Sequence, residues 1–320
     1  MRMKKIIVAI LIMLVILLGA GIEIFNIFWE NKKDEKSNKE KVEDLSIAEN
    51  SNQENTVNTA MAEKTATETT VTSKELEVLS NASEPIYKKS EKDIKIPIII
   101  YHAFSTPEPA GDIYKLFSTQ ERFEENVTTL LNDGYTFITL EELYQYNKGE
   151  LALPEKVCIL TMDDGWLGCY TEAYPVLQKY DVPTTIFIVS NLVGTEGYFS
   201  WEQAKEMYDS GLVKLHIHGK SHIDYSTVSK EKLVSDFTEA HEELEEKMGA
   251  EIQKIMAYPS GKCTESTKKW LKEAGFEVQV LTKYGTVNKS STLDLTDLGR
   301  IRGERETGTQ LLRTIKNASI

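Results

Sequence analysis

Positive charge is what this sequence is shortest of. Its 37 lysines and arginines face 50 aspartates and glutamates, a net charge of −13 over 320 residues, which argues against nucleic acid as a partner. Cysteine is scarce as well. Cys158, Cys169 and Cys263 share no metal-type spacing, and their odd number leaves at least one outside any intramolecular disulfide, so all three read as structural. There is no internal repeat. Long apolar runs are absent except at the start, where Ile6–Ile22 is uncharged behind Arg2, Lys4 and Lys5.

A buried helix of a soluble protein would show polar positions at helical period, and that run shows none. Basic residues on its N-terminal side only place that end in the cytoplasm and the rest of the chain outside. Gly19-Ala20-Gly21 is a weak cleavage site and the run exceeds a usual signal core, so residues 1–30 are expected to remain as a transmembrane anchor. No cysteine follows to carry a lipid. Residues 31–93 are rich in Glu, Lys, Asn, Ser and Thr, a composition that cannot bury enough apolar surface to offset ordering entropy. They are expected to be a disordered extracellular linker, and 94–320 the functional domain.

From Ile94 onward, strand-like and helix-like segments alternate. Strands are expected at Ile96–His102, Tyr135–Leu140, Val157–Thr161, Thr184–Val189, Leu212–Ile217, Lys254–Ala257 and Glu277–Leu281. Helices fall at Phe123–Asn132, Leu140–Tyr146, around Tyr174–Leu177, and at Trp201–Ser210, Lys230–Met248 and Glu265–Ala274. This alternation predicts an α/β fold with a parallel sheet, closed or wound, and helices outside. Chemistry then belongs at the C-terminal ends of the strands.

Two stretches stand out there. Val157–Met162 is an apolar run that ends in Asp163-Asp164-Gly165, where the glycine lets the chain turn and both carboxylates can face one cleft. Two like charges at such a place call for a cation or a shared proton. After the strand Leu212–Ile217 comes His218-Gly219-Lys220-Ser221-His222. Imidazoles four apart share one face of a helical turn, close enough to bind one ion. Two imidazoles and one carboxylate make a triad that leaves positions open for water and substrate, where a structural zinc site would be closed by four ligands.

Thr161-Met162-Asp163-Asp164-Gly165, His218-x3-His222 and Ala257-Tyr258-Pro259-Ser260-Gly261, in that order, resemble the polysaccharide deacetylase family, the NodB-homology carbohydrate esterases (family 4). The phrases Tyr174–Leu177, Val182–Thr185 and Lys272–Phe276 agree, and the resemblance covers about residues 94–305. It implies a distorted (β/α) barrel of seven or eight strands, a divalent metal that is usually zinc, and removal of acetyl groups from a sugar polymer. Carried over by position, it gives Asp164, His218 and His222 as metal ligands, Asp163 as general base, and the backbone N–H of Ser260 as an oxyanion donor.

The departures are informative. Met162 stands where Phe or His is usual. The arginine that often opens the third motif is Ala257 here, so the group orienting Asp163 must come from elsewhere, with Arg300 and Arg302 the candidates. No C-terminal Leu-x-His motif exists to supply the general acid, since His241 is the last histidine. His102, in Tyr101-His102-Ala103-Phe104, fills that role in the resemblance to the poly-N-acetylglucosamine deacetylase branch. His216 is expected to alternate away from His218 and to be structural. Trp166 and Tyr225 adjoin the ligands and suit either sugar stacking or the core, while Trp201 and Trp270 read as core. With the expected anchor and linker, the resemblance implies a membrane-tethered extracellular deacetylase of N-acetylglucosamine in poly-N-acetylglucosamine or peptidoglycan. The alternative is a non-catalytic glycan-binding protein that retains the barrel.

Overall fold

The structure, a computed structural model, describes residues 93–318 apart from residue 286 and the side chain at 283. The expected anchor at 1–30 and the linker up to 92 lie outside the described residues. Among the described residues no helix is long and apolar enough to cross a membrane.

Seven strands form a closed ring: β1 (Ile98–Tyr101), β2 (Val157–Asp164), β3 (Thr184–Ile188), β4 (Val213–Ile217), β5 (Ile255–Ala257), β6 (Val278–Tyr284) and β7 (Leu298–Arg302). Each pairs in parallel with the next in sequence, and β1 closes the ring by pairing with both β2 and β7. Strands joined by helical crossovers and covered on both faces need no polar alternation, which is why Ile98-Ile99-Ile100-Tyr101 is buried throughout.

The helices are α1 (Gln120–Asn132), α2 (Leu140–Lys148), α3 (Tyr174–Tyr180), α4 (Trp201–Asp209), α5 (Lys230–Met248), α6 (Glu265–Glu273) and α7 (Gly308–Asn317). Alternate strand residues serve two cores. Ile99, Leu160, Ile186, Leu215 and Ile217 pack outward against Phe123 of α1, Leu177 of α3 and Phe237 of α5. Ile98, Ile159, Phe187, Ala257 and Val280 point inward, and Leu140 and Leu143 of α2 close the N-terminal end of the ring beneath them. One end is thereby plugged, and the C-terminal ends of the strands remain the accessible face.

The expected strand at Tyr135–Leu140 shrinks to Thr136–Phe137. Thr139 is claimed instead as the N-cap of α2, in a capping box with Glu142. Two strands run longer than expected, β2 to Asp164 and β6 to Tyr284, so both end at the open face.

Candidate active site

At the end of β2 the chain solves a geometric problem. Neighbouring strand side chains point to opposite faces, yet Asp163 and Asp164 have to serve one cleft. Asp164 does so by adopting a left-handed backbone, φ +76°, just before Gly165 at +87°. An aspartate at positive φ is uncommon, and such strain persists where the surroundings enforce it.

Asp163 is fully buried and gripped by Arg300 of β7 in a two-pronged pair. Nη1 reaches Oδ1 at 2.7 Å and Nη2 reaches Oδ2 at 2.6 Å. Arg300 is itself held by the Leu281 carbonyl at 2.9 Å and Thr161 Oγ1 at 3.2 Å. Burial alone would push the Asp163 carboxyl up, but the charge and hydrogen bonds of the Arg300 guanidinium outweigh it and hold the group at about 2. Asp163 is therefore ionised at any physiological pH.

Asp164 is different. Its Oδ2 accepts from Trp166 Nε1 at 3.0 Å, while Oδ1 is buried without a hydrogen-bond partner. That bare oxygen lies 3.4 Å from Nε2 of His218 and 3.4 Å from Nε2 of His222. The ligand atoms of the three residues all lie within 4.8 Å of one another. Two tetrahedral ligands, each about 2.0–2.1 Å from a zinc ion, would sit roughly 3.3 Å apart, so the donor set fits a small divalent cation.

His218 is oriented by its other nitrogen. Nδ1 donates to the Ala257 carbonyl at 2.9 Å, because a carbonyl can only accept, and Nε2 is left with its lone pair toward Asp164. Burial pushes the His218 imidazole down, toward the neutral form that ligates.

His222 arrives by a route other than the expected helical turn. Residues 218–222 are not helical. Gly219 turns the chain at φ +82°, with a backbone so close to Tyr225 that an added Cβ would lie 2.7 Å from its hydroxyl. That hydroxyl donates to the Ser221 carbonyl at 2.9 Å and fixes the return of the loop.

His102 follows β1 and joins the same cleft. Its Nδ1 donates to Glu304 Oε1 at 2.7 Å, and its carbonyl accepts from the Cys169 thiol at 3.3 Å. Burial pushes the imidazole down, but the Glu304 hydrogen bond and the charges of Asp163, Glu304 and Asp164 together hold it above its ordinary value. Sequence reasoning missed Glu304. It is fully buried, and Gly303 brings it there by passing flush against the Tyr101 ring, where an added Cβ would fall 2.3 Å from Cζ. The available signal was a carboxylate two residues beyond the end of a barrel strand.

Of the two candidate arginines only Arg300 reaches Asp163. Arg302 turns away to Glu304 Oε2 at 3.2 Å and to the carbonyls of Tyr114 and Lys115 at 3.2 and 2.6 Å. Ser260 sits at φ +56° in the exposed turn after β5, three residues beyond the carbonyl that orients His218. His216 does not alternate away from His218. Residues two apart on a strand share a face, and His216 points into the ring beside Phe187, with Nε2 2.9 Å from Glu141 Oε1. Tyr225 is core, whereas Trp166 stacks on Tyr198 at 4.7 Å beside the Asp164 carboxylate. Trp201 and Trp270 pack partly buried against the outer core, as expected.

Comparison with known proteins agrees with this geometry. The family model for polysaccharide deacetylase matches residues 151–279. The poly-beta-1,6-N-acetyl-D-glucosamine N-deacetylase of Staphylococcus aureus is 30% identical over 173 residues, which are 50% of this chain and 59% of that protein. Among solved structures, the Streptococcus pyogenes deacetylase PplD, determined with acetate, superposes with a TM-score of 0.62 at 25% identity over 70% of this chain and 99% of that one. IcaB from Ammonifex degensii gives 0.60 at 26% identity over 70% and 96%. Motif order, barrel and donor geometry lead to one conclusion: the chain carries a barrel domain similar to the polysaccharide deacetylases, with residues 151–279 matching that family's model.

Proposed function

We propose that this chain hydrolyses the N-acetyl groups of N-acetylglucosamine residues in a cell-surface polysaccharide and releases acetate. The observation that carries the proposal is the bare, buried Oδ1 of Asp164, equidistant from two imidazole nitrogens and beside a separately held Asp163. An orphaned buried carboxylate oxygen is costly unless a cation completes it. Asp164, His218 and His222 are the residues that would hold a divalent ion, with zinc the usual choice for two imidazoles and a carboxylate. When bound, such an ion supplies Lewis acidity to the acetyl carbonyl and to the attacking water.

The chain's own residues divide the remaining work. Asp163 orients the water and takes its proton. Held at about 2, it is a weak base, always available but effective only toward an acidified water. Arg300 fixes both of its oxygens. The Ser260 N–H is the proposed donor to the developing oxyanion. His102, its Nδ1 engaged by Glu304, is the proposed acid that protonates the leaving nitrogen from Nε2. Poly-N-acetylglucosamine is the favoured polymer on the strength of the staphylococcal relative, with peptidoglycan the second candidate. Anchoring through residues 1–30 with an extracellular domain remains part of the proposal, tested by whether the full chain sediments with membranes.

Metal content and acetate release, measured on the same preparations, test the division of roles. Asp164→Ala, His218→Ala and His222→Ala are each expected to lower metal occupancy. Asp163→Asn is expected to keep the metal and lose turnover by roughly 10²–10⁴-fold. Loss of metal in Asp163→Asn with retention in Asp164→Asn would reverse the assignment.

A further inference from the structure

Two of the most exposed large hydrophobic side chains among the described residues are tyrosines, Tyr114 at 72% and Tyr284 at 49%, and one guanidinium touches both of their segments. Arg302 lies 5.2 Å from the centroid of the Tyr284 ring and donates to the backbone carbonyls of Tyr114 and Lys115. Its Nε donates to Glu304, the carboxylate that holds His102. Tyr284 ends β6 in register with Arg300 on β7, which places it at the open face of the barrel. Arg300, its partner in that register, grips Asp163, so the ring stands one strand away from the reaction cleft.

The tyrosines of the core, Tyr101, Tyr225 and Tyr258, are fully buried, and Tyr284 has no such packing role. One face is backed by a cation fixed by three acceptors, and half of the side chain is left to solvent. A flat aromatic face that is held in place before binding loses little freedom when a ligand stacks on it. A polysaccharide extends beyond the sugar being deacetylated, and the apolar C–H face of a neighbouring pyranose is the chemistry that suits such a platform.

We infer that Tyr284 is a stacking platform for a sugar residue adjacent to the reacting one, and that Arg302 is its positioning residue. The inference deepens the proposed deacetylation and rests on it for the identity of the glycan. It makes the enzyme selective for chain length, because a lone N-acetylglucosamine cannot occupy both places.

The test uses the full chain with N-acetylglucosamine oligomers of one to five units, and p-nitrophenyl acetate as a substrate without a second sugar. The kcat/KM ratio of pentamer to monomer should fall roughly three- to tenfold in Tyr284→Ala and be retained in Tyr284→Phe. Arg302→Gln should raise KM for the pentamer more than it lowers kcat. Tyr144→Ala, at the closed end of the barrel, should leave the ratio unchanged. An unaltered ratio in Tyr284→Ala, or an equal loss on pentamer and ester, would overturn the inference. Binding of the pentamer to Asp163→Asn, with and without Tyr284→Ala, separates this from the reaction itself. Tighter binding with Tyr284 present supports the platform even if no oligomer is turned over, and equal binding refutes it.

Discussion

Two histidine–carboxylate pairs stand at different depths in one barrel. At the open end His102 donates to Glu304 at 2.7 Å, and inside the ring, toward its plugged end, His216 pairs with Glu141 at 2.9 Å. The chemistry of the pairs is alike, and their surroundings are not. Glu304 is fully buried with both oxygens engaged, by His102 and Arg302, while its histidine is 9% exposed toward the cleft. At the other pair the arrangement is inverted. His216 is 1% exposed, Nδ1 has no partner, and Glu141 keeps an unpartnered Oε2. A histidine moves protons for a substrate only where the substrate can reach it, so the first pair suits the proposed proton transfer and the second the closing of the barrel.

The largest expected difference between the pairs is in turnover. His102→Gln should lower kcat on an N-acetylated glycan by roughly 10²–10⁴-fold with metal and fold retained. His216→Gln should change kcat by no more than about threefold. Steady-state acetate release by the two variants checks this, and comparable losses would erase the distinction.

A smaller effect concerns pH. An acid must be protonated, so activity falls as pH rises through the His102 value, which Glu304 helps to hold above that of an ordinary imidazole. Glu304→Gln removes the charge while burial still opposes the imidazolium, which lowers that value. The alkaline limb of the pH–rate profile should therefore move to lower pH, and an unmoved limb would assign it to another group. The smallest effect is on stability alone. His216→Leu removes one partner of a partly buried hydrogen bond and should cost about 1–3 kcal/mol in denaturant unfolding, leaving the shape of the pH profile unchanged.

The same contrast explains what the sequence disclosed. Asp163, Asp164, His218 and His222 were legible because they lie in short motifs at consecutive strand ends, where order alone carries the pattern. Six of the seven ring strands were legible from the alternation of β-branched runs and helical periods, whereas β7 was not expected as a strand and the barrel itself came from the family resemblance. Arg300 was legible only as one of two, because which arginine reaches Asp163 depends on the pairing of β7 with β6 and β1. Glu304 was not, since its partner lies 202 residues away and the close approach of Gly303 to Tyr101 that seats it leaves no local mark. His222 meets His218 as expected, but not for the expected reason. The Gly219 turn against Tyr225 brings it to His218, and no helix is involved. His216 was assigned to the wrong face because strand period puts residues 216 and 218 on the same side.

The central claim is that the open-end pair delivers the proton that lets the amine leave. Expelling an amide nitrogen without protonation is very unfavourable, whereas an acetyl ester with a good leaving group hardly needs the proton. The direct measurement is kcat of wild type and His102→Gln on an N-acetylglucosamine oligomer and on p-nitrophenyl acetate, at one pH and equal metal occupancy. A large loss on the amide with a much smaller loss on the ester is the predicted result. Equal losses on both would mean that His102 positions or packs and that the proton comes from elsewhere.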